Sequence, residues 1–70
     1  MAAKIVIFTN GKARQLDVGL SVQSLVEDLN LKPNMTLVEY NGRALLRHEW
    51  KECELEHGDR LEFLRVVAGG

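Results

Sequence analysis

Two Asn-Gly pairs, Asn10-Gly11 and Asn41-Gly42, each follow a run of strand-forming residues. No other feature constrains the fold as much, because Asn-Gly is the strongest short hairpin signal. Before the first pair stands Lys4-Ile5-Val6-Ile7-Phe8-Thr9, a continuous apolar run rich in β-branched residues. It reads as a strand buried on both faces, hence central in its sheet. Arg14 to Val18 then alternates polar and apolar, as a half-exposed return strand does. Before the second pair, Thr36 to Tyr40 reads as a third strand, and Arg43 to Leu46 returns as a short fourth.

A helix is predicted between the two hairpins. Ser21 is a good N-cap. Val22, Leu25, Val26 and Leu29 follow at helical spacing on one face, with Glu27 and Asp28 on the other side. Asn30 and Pro33 stop it. Arg47 to Cys53 is polar around Trp50 and reads as a loop or a short helical turn. Gly58-Asp59 marks a further turn. Arg60 to Val66 is the last strand, and Val67 to Gly70 a tail. The expected architecture is α+β: a mixed sheet of four to five strands with one main helix packed on one face. Residues 1–66 form the folded body and residues 67–70 the tail.

Seventy residues make one small domain, which buries only about 60% of its unfolded surface. That leaves little room for a pocket enclosing a substrate, so a self-contained enzyme is not expected. Apolar content of 46% argues against disorder. The net charge is −1, with 9 basic and 10 acidic residues interspersed. The sequence shows no basic stripe, so a nucleic-acid partner is not expected. The apolar runs are too short to span a bilayer. Met1 to Lys4 is too short for a secretory signal. With one cysteine, Cys53, no internal disulfide can form. The expected location is the cytoplasm.

The carboxyl end is Gly69-Gly70. Neither residue has a Cβ, so the backbone can thread a narrow channel and the terminal carboxyl is unhindered. In the strand before it, Leu61 and Phe63 point to one face, and Glu62, Leu64 and Val66 to the other. If the helix covers the first face, Leu64 and Val66 remain as a docking patch, unless loops cover them. Arg65, with Arg60, either contacts an acidic surface of a partner or lies on a solvated face.

These elements resemble the ubiquitin-like β-grasp proteins and, within them, the ThiS family of sulfur carriers for thiamine biosynthesis. The residues that carry the likeness are Asn41-Gly42, Arg47, Glu49-Trp50, Gly58-Asp59, Leu61-Glu62-Phe63 and Val66-Val67-Ala68-Gly69-Gly70. The likeness spans essentially the whole chain. It implies a protein that is a co-substrate rather than an enzyme. A ThiF-like adenylating enzyme would activate the Gly70 carboxylate with ATP. A sulfur donor such as a cysteine desulfurase would supply the sulfur of a thiocarboxylate. A ThiG-like thiazole synthase would take that sulfur. Gly70 and Gly69 are then the reacting end, and Leu64, Arg65, Val66, Val67 and Ala68 the partner-binding residues. The chain has no phosphate-binding loop, so ATP would belong to the partner, with no cofactor bound here. The same end also suits a carrier like the small subunit of molybdopterin synthase, or a protein modifier joined to lysines of its targets. A plain interaction domain is the remaining alternative.

The other chemistry-bearing residues read as structural. Glu52 and Glu54 flank Cys53 and, as anions, raise a thiol pKa, which makes it a passive thiol. His48, Cys53 and His57 match no zinc spacing. His57 reads as a turn residue and His48 as a surface one. Trp50 and Tyr40 are expected to pack rather than to bind. The acidic neighbours Glu27 and Asp28, and Glu54 and Glu56, lie among charged residues with no sign of a cleft.

Overall fold

Asn10 and Asn41 take φ values of 49° and 51°, and the glycine after each takes 82°. Both pairs therefore make the positive-φ turn that matches the twist of a tight hairpin. The computed structural model describes residues 3–67. The first hairpin joins β1 (Lys4–Thr9) to β2 (Lys12–Asp17), with Lys4 opposite Asp17 and Thr9 opposite Lys12. The second joins β3 (Thr36–Tyr40) to β4 (Arg43–Leu45), with Tyr40 opposite Arg43. Two-residue turns let each return strand start at once. That is why β2 begins at Lys12 rather than at Arg14.

The last strand, β5 (Arg60–Arg65), joins the hairpins. It runs antiparallel to β3 over five residue pairs, from Thr36 opposite Arg65 to Tyr40 opposite Leu61. It runs parallel to β1 at Phe8–Arg60 and Thr9–Leu61. The result is a five-stranded mixed sheet in the order β2-β1-β5-β3-β4. The middle strand is thus β5, and the central position predicted for β1 is corrected to a place between β2 and β5. Nor is β1 buried on both faces. Ile5, Ile7 and Thr9 are buried, while Val6 and Phe8 on the other face are half-buried. A single helix covers one side of the sheet only.

That helix, α1 (Val22–Asp28), starts as predicted: the Ser21 hydroxyl accepts the Ser24 backbone N–H at 3.1 Å. Val22, Leu25 and Val26 are buried, and Leu29 packs half-buried beyond its end. Asn30 closes it in the left-handed region, with φ 57°. Pro33 then opens a short 3-10 turn, Pro33–Met35. A second 3-10 turn, Arg47–Glu52, buries Trp50, whose indole N–H donates to the Leu45 carbonyl at 3.3 Å. The guanidinium of Arg47 lies 5.6 Å from the centre of its ring. Trp50 is thus a core residue, as its sequence context predicts. Leu55, Leu61, Val38 and Leu45 complete the core with the buried residues of β1 and α1.

Side chains of both turn asparagines grip β5. Asn10 Oδ1 accepts the Phe63 N–H at 2.7 Å, and Asn10 Nδ2 donates to the Phe63 carbonyl at 3.3 Å. Asn41 Oδ1 accepts the Arg60 N–H at 2.8 Å. Each asparagine therefore sets a turn and also satisfies backbone groups of the middle strand. Asp59, 7% exposed, anchors the start of β5. Its carboxylate accepts the Tyr40 hydroxyl at 2.6 Å, the Asn41 amide at 3.1 Å and the Glu56 N–H at 2.8 Å. His57 is more than a turn residue, since its Nδ1 accepts the Val6 N–H at 3.0 Å. Among the described residues, no helix is long and apolar enough to cross a membrane.

Candidate functional site

The carboxyl end of β5 is where the residues proposed to dock and the approach to the terminus meet. The strand ends at Arg65, one residue earlier than predicted. Val66 still donates its N–H to the Met35 carbonyl at 2.8 Å, a last rung beyond the regular ladder. Backbone pairing thus holds the chain up to Val66. Val67 is 79% exposed. Ala68, Gly69 and Gly70 lie outside the described residues.

The period of two divides β5 as the sequence predicts. Leu61 is buried and Phe63 half-buried on the helix side. Leu64 is 46% exposed and Val66 41% exposed, so no loop covers them. Leu64 stands directly opposite Leu37 of β3, itself 57% exposed. Leu37 and Leu46 belong with the patch but were not singled out in the sequence. The alternation in Thr36 to Tyr40 hints at Leu37, yet only the β3–β5 register sets it beside Leu64. Leu37, Leu46 and Leu64 border a shallow groove of about 460 Å³ at this end of the open face. Next along the same two strands, Glu39 faces Glu62. Like charges directly opposite each other destabilise a sheet. This face therefore carries an apolar pair followed by an acidic pair.

Arg65 lies on the other face from Leu64 and is exposed. Arg60 does not join it. It sits at the opposite end of β5 with its guanidinium 5.2 Å from the centre of the Phe8 ring, within cation–π range. The two arginines thus serve different regions.

Cys53 is half-buried. Burial pushes its thiol up from the ordinary range; the nearby Tyr40 hydroxyl opposes this and the Asp59 carboxylate adds to it. Burial, rather than the flanking Glu52 and Glu54, is the main cause of that rise. Tyr40 is held above the usual phenol range by burial first and by its bond to Asp59 second. His48 is exposed and stands apart from His57 and its backbone bond. Among the described residues, no three His, Cys, Asp or Glu side chains come together as a set of metal ligands.

A family model described as the ThiS family matches residues 7–70. The chain is 28% identical over 64 residues to the sulfur carrier protein ThiS of Escherichia coli strain K12, covering 91% of this chain and 97% of that protein. The crystal structure of the thiamine biosynthesis protein ThiS from Geobacter metallireducens is similar with a TM-score of 0.80 and 31% identity, covering 94% of this chain and 100% of that one. A computationally designed protein based on human erythrocytic ubiquitin, solved by NMR, gives a TM-score of 0.53 at 20% identity over 100% of this chain and 98% of its own. That last likeness is one of fold alone, the ubiquitin-like β-grasp.

Proposed function

The chain belongs to the ThiS family, and from this premise we propose that it is a sulfur carrier of thiamine biosynthesis that reacts through the carboxylate of Gly70. A terminal carboxyl has a pKa of about 3.5 and is an anion at neutral pH. It resists nucleophiles because its charge is spread over two oxygens. An ATP-dependent, ThiF-like partner joins one oxygen to AMP and releases pyrophosphate. Hydrosulfide then attacks the acyl carbon and AMP departs, leaving a thiocarboxylate; a persulfide donor would instead form an acyl disulfide, which a thiol must reduce to the same product. A thiazole synthase accepts that sulfur. The chain is the co-substrate in each step, and the nucleotide site belongs to the partner.

The observation that carries this reading is the exit of β5. The middle strand of the sheet ends at Arg65, five residues before Gly70 in sequence, and the apolar pair Leu37 and Leu64 lies exposed beside that end. Threading a tail into an enclosed site costs of order 1–2 kcal/mol per residue in ordering entropy. An apolar docking face on a rigid body offsets that cost. The acidic pair Glu39 and Glu62 suits a cationic group on the partner's side of the same face.

Intact mass spectrometry after incubation with ATP, a ThiF-like enzyme and a sulfur source tests the proposal. The expected result is a shift equal to one oxygen replaced by sulfur, lost when Gly70 is deleted. An unshifted mass with a partner competent on another carrier would refute it. Higher-mass conjugates to other proteins would indicate a modifier instead.

A further inference from the structure

The helix side of the sheet holds a second surface, which meets the open-face groove at Thr36 and Leu64. α1 has seven residues and so spans about 10 Å. β5 has six and extends about 20 Å. The helix therefore leaves the far end of its own face uncovered, and a groove of about 500 Å³ opens there. Leu31, Met35 and Phe63, all half-buried, supply apolar lining. Lys12, Arg14, Lys32 and Arg65 line it too, and among the described residues none of the lining is acidic.

This charge segregation is at odds with the chain as a whole, whose net charge is −1. Four of its nine basic residues meet at one groove. Among the described residues the salt bridge is Lys4 with Asp17, at 2.6 Å and away from the groove. Like charges gathered without counter-charges raise the local potential and favour an incoming anion. Arg14 is also pre-oriented: its Nε donates to the Thr9 hydroxyl at 2.7 Å. That bond steadies the guanidinium and leaves its two terminal nitrogens for a carboxylate in fork geometry.

We propose that this groove binds an acidic segment of a partner protein, with an apolar side chain against Leu31, Met35 and Phe63 and flanking carboxylates on Arg14 and Arg65. The mixed lining decides between a peptide and a nucleic acid. A single-stranded nucleic acid needs exposed aromatic platforms for its bases, whereas Phe63 is half-buried between aliphatic neighbours. An aliphatic side chain fits such a floor. The inference stands apart from the chemistry at Gly70, and its test uses neither ATP nor an activating enzyme.

The experiment titrates the full ¹⁵N-labelled chain with a short synthetic peptide bearing a leucine flanked by glutamates. Parallel titrations use the same peptide with lysines for the glutamates, and oligothymidylate. Saturable amide shifts centred on Leu31, Met35 and Phe63 are expected for the acidic peptide, weakening with added salt. Arg14→Glu with Arg65→Glu should weaken binding by about tenfold or more. Lys12→Glu with Lys32→Glu is the second variant, should the first alter folding. Absent shifts, equal shifts with the lysine peptide, or shifts centred on Leu37 and Leu46 would overturn the proposal. Tighter binding of oligothymidylate at the same residues would replace the peptide with a phosphate ligand. Peptide binding that emerges only after residues 68–70 are deleted would make the chain's own end the occupant, which also overturns it.

Discussion

Leu37 and Leu64 face each other across the antiparallel β3–β5 pair, on the side of the sheet that α1 leaves open. Both are about half exposed in the free chain, so neither contributes much to the core. Leu37→Asp and Leu64→Asp should each change folding stability by only about 0.5 kcal/mol. If the face docks an activating enzyme, each should lower kcat/KM for adenylation of the chain by about tenfold or more, as loss of a central apolar anchor does. Steady-state pyrophosphate release measures this. Unchanged kinetics in both variants would remove the face from the docking model.

Asn10→Gly separates the two tasks of a turn asparagine. Glycine adopts the positive φ of the turn without strain, but loses both hydrogen bonds to Phe63. The expected loss of stability is about 1–2 kcal/mol, from the missing bonds and the greater freedom of the unfolded chain. Urea unfolding checks it. Wild-type stability would mean that the grip on β5 carries no weight.

Asp59 and Tyr40 give stability a defined dependence on alkaline pH. Asp59→Ala strands three donors, from Tyr40, Asn41 and Glu56, and should cost about 2–4 kcal/mol. The folded chain also holds the protons of Tyr40 and Cys53 more tightly than ordinary phenols and thiols do. The unfolded chain releases them near pH 8.5 for the thiol and about pH 10 for the phenol. Above those values the unfolded state binds fewer protons than the folded state, so stability falls as pH rises. The contribution is complete below about pH 8.5, declines above it, and drops more steeply above about pH 10. Urea midpoints measured across this range should show both phases. Tyr40→Phe should flatten the upper one, and an unaltered upper phase would refute the assignment.

The terminal glycines yield a kinetic prediction. Deleting Gly70 should abolish thiocarboxylate formation with the unfolding midpoint unchanged. Gly69→Ala should slow activation, because a Cβ obstructs a threaded backbone. A wild-type rate for Gly69→Ala would dismiss the narrow channel and leave the carboxylate chemistry standing.

Local signals in the sequence were sufficient for most of the fold. The Asn-Gly turns, the Ser21 cap and the spacing of Val22, Leu25 and Val26 each act over a few residues, and each lies where expected. The split of β5 into a Leu61 face and a Leu64 face also follows from a local period. What escaped depends on contacts between distant segments. Asp59 looks like any turn aspartate until Tyr40 and Asn41 close over it. His57 meets Val6 across 51 positions. Lys12, Arg14, Lys32 and Arg65 look dispersed along the chain, and only the fold gathers them at one groove. Leu37 needed the register of a strand pair.

The middle position of β5 also bears on biosynthesis. Of the five strands it is the last to leave the ribosome, yet the two hairpins pair with each other only through it. A nascent chain halted before Arg60 holds β1 and β3 with bare edges, the kind of backbone that invites aggregation. Pairing between the two hairpins must wait for β5, so the sheet closes late rather than progressively during translation. A ribosome that stalls early therefore releases an open half-sheet, and a closed sheet reports that translation has passed the strand that precedes the terminal glycines.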